Sequence, residues 1–199
     1  MNSDSAPINL TNHFLIAMPG LVDTLFTKSV VYICEHSERG ALGLVINKPA
    51  SMTIDTLFNK IDLSLRRADL NGQPVFQGGP VQVDRGFVLH DPLYPVPDKS
   101  EEPLYASTLV IPGGLEMTTS KDVLEAIAMG SGPHRVLVTL GYSAWGEGQL
   151  ETELLENSWL TVDADHAVIF GTPINQRYDR ALALLGLEAW MISTQVGHA

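Results

Sequence analysis

The 199 residues carry 12 basic and 23 acidic side chains, a formal net charge of −11 that repels a phosphate backbone and argues against direct binding of nucleic acid. With 45% hydrophobic and 18% charged residues the chain has a globular composition and the length of one ordinary domain, and no apolar run approaches the roughly 20 residues needed to span a bilayer. Cys34 stands alone, so no intrachain disulfide forms, and no basic region leads into an apolar leader at the N-terminus; a cytoplasmic protein with no membrane partner is expected.

In chain order, residues 1–9 read as a flexible segment and 10–199 as one domain. "HFLIAM" (13–18) and "SVVYICEH" (29–36) are short apolar runs rich in β-branched and aromatic residues, which predicts strands. "RGALGLVINKP" (39–49) follows a turn-like "HSERG", so the second and third strands are expected to form a hairpin closed by Pro49. Ile54, Leu57, Phe58 and Ile61 recur at helical spacing and predict an amphipathic helix over 52–63. "PVFQGGPV" (74–81) and "RGFVLHD" (85–91) return to strand character. The proline-rich stretch between Asp91 and Tyr105 predicts a long loop leading into "ASTLVI" (106–111).

Thr119 and Asp122 match a capping-box variant ahead of Val123, Leu124, Ile127 and Ala128, with Gly130 as the stop, predicting a helix. "HRVLVTLGY" (134–142) has no polar alternation and reads as a central strand. A short helix over 149–157, strands at 159–165 and 166–171, and a helix over 175–187 follow, and "AWMIST" (189–194) offers a last strand. Runs of strands broken by helices favour an α+β fold, with a bent mixed sheet, over a doubly wound one.

The glycine-rich turn "LGYSAWGEGQLETEL" comes nearest to a chemical motif. As a phosphate loop it fails, because Glu147 and Gly148 stand where Lys and Ser/Thr must meet phosphate and Mg²⁺. Glu151 replaces the third small residue of a dinucleotide fingerprint, and Trp145 replaces the last glycine of a nucleophile elbow around Ser143. A packing corner accounts for every residue: glycines for backbone freedom, Trp145 and Trp159 for buried area, Gln149 for the loop backbone. Glu147 and Glu151, four apart, suggest a solvated acidic face rather than a cation site. The six histidines lack metal-ligand spacing, so neither metal nor cofactor is expected. Cys34 reads as a core hydrophobe.

The ordered motifs "FLIAMP", "SVVYICEHSERGALGLVINKP", "FQGGPV", "GFVLHD" and "LGYSAWGEGQLETELLENSWL" resemble the AlgH/YqgE family of bacterial proteins, over nearly the whole chain. The resemblance implies a barrel-like mixed sheet packed by helices. It carries over Glu35, His36, Gly43, Asn47 and Pro49 from the first motif, then Gly78, Gly79, Pro80 and His90. From the last motif come Gly141, Tyr142, Trp145, Gly148, Gln149, Glu151, Asn157 and Trp159; Ala144 departs from the family's usual glycine. Family members are often labelled transcriptional regulators, yet no basic recognition helix is visible. The expectation is therefore a regulatory or binding protein for a small molecule or protein partner. Its candidate ligand-binding residues are His36, Asn47, Gly78, Gly79, Pro80, His90, Trp145, Gln149 and Glu151, drawn from loops at predicted strand ends. The alternative is an enzyme with His36 or His90 as general acid/base and Glu151 as partner.

Overall fold

The computed structural model describes residues 8–21, 23–93 and 102–192. Within them the long apolar runs become strands covered on both faces. In β2 (Val30–Ser37), Val30, Tyr32 and Cys34 point into one core while Val31 and Ile33 point into another, as the two-residue period of a strand requires. β1 (His13–Ala17), β2 and β3 (Gly40–Val45) form an antiparallel meander, including the expected hairpin, with a bulge between Ile33 and Glu35.

Pro49 opens a further strand rather than closing the hairpin. β4 (Pro49–Thr53) pairs with β5 (Pro74–Gln77), and between them α1 is confined to Ile54–Lys60, shorter than its apolar spacing suggested because the preceding residues are taken into the sheet. β6 (Val81–His90) is one continuous strand. It pairs with β8 (Leu115–Thr118), which in turn pairs with β7 (Thr108–Ile111). β8 was not expected: four residues offer almost no periodicity, and buried Glu116 interrupts their apolar character.

α2 (Lys121–Met129) ends at Gly130 in the left-handed conformation, as expected. Its N-cap is Ser120, not Thr119; Asp122 accepts from the Ala106 N–H at 2.8 Å and so ties the helix to the preceding loop. β9 (Val136–Trp145) is central, with β3 and β6 antiparallel and β5 parallel beside it, so the sheet is mixed. α3 (Gln149–Leu155) and β10 (Trp159–Asp163) follow, and β10 pairs with β1. The sheet order β10-β1-β2-β3-β9-β6-β8-β7 curls into a half-barrel.

Residues 166–171 correct a strand expectation. His166–Phe170 is a helix, α4, because Asp165 caps it by accepting the Ala167 N–H at 2.8 Å. A single amphipathic turn also buries Val168 and Ile169 against the sheet. α5 (Arg177–Ala183) buries Tyr178, Ala181 and Leu182 against the same core. Ala189–Ile192 is a 3-10 turn rather than a strand; the rest of "AWMIST", residues 1–7 of the segment expected to be flexible and residues 94–101 of the expected loop lie outside the described residues.

Candidate functional site

The nominated residues fall into three sets, each with internal hydrogen-bond or packing partners. Around α3, His36 is 4% exposed. Its Nδ1 accepts the Leu10 N–H at 3.0 Å, which requires a lone pair there and leaves the ring proton on Nε2, 2.8 Å from Glu151 Oε1. The pair thus fastens residue 10 to β2 and α3. Glu151 is held below the ordinary carboxylate range by its own backbone N–H and then by His36.

Trp145 and Trp159 pack edge to face at 6.1 Å, and both indole N–H groups donate to Glu153 Oε2, at 2.9 and 2.7 Å. Gln149 Nε2 donates to Glu153 Oε1 at 3.0 Å while its own Oε1 accepts the Gly146 N–H at 3.0 Å. Gln149 thus serves the loop backbone as its position suggested. Glu153, the hub of this cluster, was missed; its only sequence signal is a helical offset of four from Gln149.

The second set marks a strand crossing. A Cβ on Gly79 (φ +154°) would fall inside the Tyr142 backbone, and one on Gly141 (φ +74°) would lie 2.6 Å from the Gly79 carbonyl oxygen. The Gly78 carbonyl accepts from Val45 N–H at 3.0 Å and Ser143 Oγ at 3.1 Å. That bond occupies the hydroxyl of the would-be elbow serine. Asn47 bridges two segments, accepting from Val30 N–H and donating to the Lys28 carbonyl, both at 2.8 Å. Gly79 and exposed Pro80 line a small apolar pocket of about 220 Å³ with Leu25, Val45, Val83 and Leu140.

His90 forms the third set, fully buried. Nδ1–H donates to the Asp91 carbonyl at 2.7 Å and Nε2 lies 2.8 Å from Thr118 Oγ1. Buried Glu116 is 3.9 Å from Nδ1. Burial lowers the His90 pKa and raises that of Glu116, so both move toward their uncharged forms despite the ion-pair distance. Cys34 is sealed in the core and burial pushes its thiol up. Among the described residues no group of three His, Cys, Asp or Glu side chains is placed to hold a metal ion.

A cavity larger than that apolar pocket lies elsewhere. About 500 Å³ of open recess is bounded by β5, β9, α4 and the start of α5. Phe76, Val138, Ile169 and Ile174 supply apolar wall, and His134, Arg135, Thr172 and Arg177 supply polar groups. Arg135 pairs with Asp91, its Nε 2.8 Å from Oδ2, and its guanidinium lies 5.0 Å from the Phe170 ring centre. Arg177 sits 5.1 Å from the Phe76 ring centre, donates from Nε to the Thr172 carbonyl at 3.0 Å, and donates from Nη1 to the Ile46 carbonyl. None of these residues was nominated from sequence. The available signal was Arg177 itself, a cation four positions before Ala181 on the stripe that α5 buries.

A family model described as DUF179, AlgH-like, matches residues 14–190. The chain belongs to the AlgH-like family. Relatives named UPF0301 protein from Variovorax paradoxus and Acidovorax sp. are 70% and 68% identical, each alignment covering all of both chains. Among solved structures, the AlgH protein of Pseudomonas aeruginosa is 44% identical over all of both chains, with a TM-score of 0.74. A Corynebacterium diphtheriae protein at 17% identity covers 96% of this chain and 94% of its own, with a TM-score of 0.70, and shares the fold. No helix among the described residues of this AlgH-like chain is long and apolar enough to cross a membrane.

Proposed function

We propose that this AlgH-like chain is a cytoplasmic regulatory or binding protein that takes a small molecule in the cavity between β5, β9, α4 and α5. The observation that carries the reading is the combination of size and lining: about 500 Å³ whose wall is divided between apolar side chains and polar groups on rigid elements. Both candidate catalytic histidines argue against the enzyme alternative. His36 has each ring nitrogen engaged, and fully buried His90 is engaged by Asp91 and Thr118, so neither presents a free proton acceptor to a substrate. The net charge of −11 opposes direct DNA contact.

A protein partner is favoured by a different observation: Leu25 and Val83 are exposed on the rim of the small apolar pocket beside Gly79 and Pro80. The test is native mass spectrometry of the protein purified gently from its own cells, beside Ile174→Trp, which narrows the larger cavity, and Val83→Glu, which charges the smaller one. A small molecule carried by wild type and Val83→Glu but absent from Ile174→Trp supports the cavity. Loss of a bound protein only from Val83→Glu supports the partner reading instead. Wild type that carries nothing, or identical cargo on all three, defeats the assignment of either site.

A further inference from the structure

We infer that the cavity is an anion site, in which Arg177 Nη2 receives the carboxylate or phosphate head of a small amphipathic ligand whose apolar body lies against Phe76, Ile169 and Ile174. The inference rests on the cavity being the binding site and adds the chemical class of what fills it.

Arg177 is 7% exposed. A guanidinium withdrawn that far from water loses its hydration and is normally matched by a carboxylate. Among the described residues no carboxylate lies within ion-pair distance of it. Two carbonyls and the Phe76 face orient the group but supply no opposite charge. Burial consequently pulls its pKa down to about 10, and the side chain remains a cation at neutral pH.

Of the five N–H donors on an arginine, the two on Nη2 have no acceptor among the described residues. Nη2 is also not sealed, since it is not among the fully buried side-chain atoms that lack a hydrogen bond. Arg177 lines the cavity, and these are the donors of that side chain left for a ligand there to engage. The other full charges on that wall are already matched: Arg135 by Asp91, and Asp69 by Arg67 through two hydrogen bonds of 2.9 and 2.6 Å. Arg177 is the lining cation left unbalanced. In a protein of net charge −11, a fixed positive charge inside a partly apolar recess selects an anion small enough to leave bulk solvent and apolar enough to gain by doing so.

A purely structural arginine would tie α5 to the turn after β3 and show no ligand preference, which sets the test. Isothermal titration at low salt of the full chain with octanoate, octyl phosphate and octanol holds the apolar body constant and changes the head. The expected result is saturable binding of at least one anion about tenfold or more tighter than octanol, the factor a charge-assisted hydrogen bond supplies. The anion that binds distinguishes a carboxylate from a phosphate head. Arg177→Met is expected to abolish the preference, with Arg177→Lys retaining part of it. Equal affinity for octanol and both anions, or octanol alone binding, overturns the anion site and leaves the cavity reading standing. Absence of anion binding, or a preference that survives in folded Arg177→Met, overturns it as well. Should Arg177→Met not fold, the octanoate, octyl phosphate and octanol comparison on wild type decides alone.

Discussion

Replacing Glu153 by leucine removes the acceptor of two indole N–H groups at once. Trp145 and Trp159 are 5% and 4% exposed, and their donors converge on one oxygen, Oε2, at 2.9 and 2.7 Å. A buried donor left without an acceptor costs about 1–3 kcal/mol, so two give roughly 2–6 kcal/mol. Leucine at this half-buried position offsets about 1 kcal/mol through its apolar area, leaving a net loss of about 1–5 kcal/mol against a typical total stability of roughly 5–15 kcal/mol. Glu153→Gln keeps one carbonyl oxygen for the indoles and sets its amide nitrogen against that of Gln149, so it costs about 1 kcal/mol, one ordinary hydrogen bond. Urea unfolding followed by tryptophan fluorescence measures both, provided the denaturant slope stays constant. A loss for Glu153→Leu below about 0.5 kcal/mol, within the scatter of surface substitutions, would refute the shared-acceptor account. So would additivity in a double-mutant cycle with Trp159→Phe, because residues served by the same oxygen must couple.

Gly79→Ala is expected to abolish soluble folded protein, since the new methyl overlaps the Tyr142 backbone; a wild-type circular dichroism melt would contradict the close crossing. The lowered His90 pKa makes a signed prediction. Its favourable contribution is complete above the unfolded value near 6.5 and is lost as pH falls through that value toward the folded one, whereas Glu116, with a raised pKa, relieves its penalty on further acidification. Urea midpoints between about pH 7 and about pH 5.5 should therefore fall in wild type and fall less in His90→Gln; parallel slopes would contradict the assignment. His36→Ala should deprotect the Leu10 amide in hydrogen exchange, while Glu151→Gln, which still accepts from Nε2, should leave it protected.

What was readable in the sequence depended on how locally each feature is determined. The β2–β3 hairpin, the α2 helix with its Gly130 stop and the central β9 are fixed by runs of eight or more residues whose pattern matches their burial. α4 escaped because "HAVIF" has the composition of a strand, and one capping carboxylate on Asp165 decided against it. β8 was too short to show a period. The motif glycines and tryptophans were legible as a packing corner, and Gly79 facing Gly141 supports that role. Glu153 and Arg177 were not legible: their distant partners come from the end of β9 and from β10 in one case, and from β5 and the turn after β3 in the other. Only tertiary proximity distinguishes them from surface charges on short helices.

The pairing of β1 with β10 places His13 beside Asp163 and Ala17 beside Trp159. A ribosome must therefore release most of the chain before the first strand acquires its second neighbour, and until then the outer side of β1 is a bare backbone edge beside the apolar "FLIA". Such non-local pairing lengthens the search for the native state. The vulnerable interval in this protein's life is accordingly its synthesis, when chaperone engagement of residues 13–17 would have most effect. Truncation within β10 should convert a folded chain into an aggregating one even though every strand from β1 to β9 is still present.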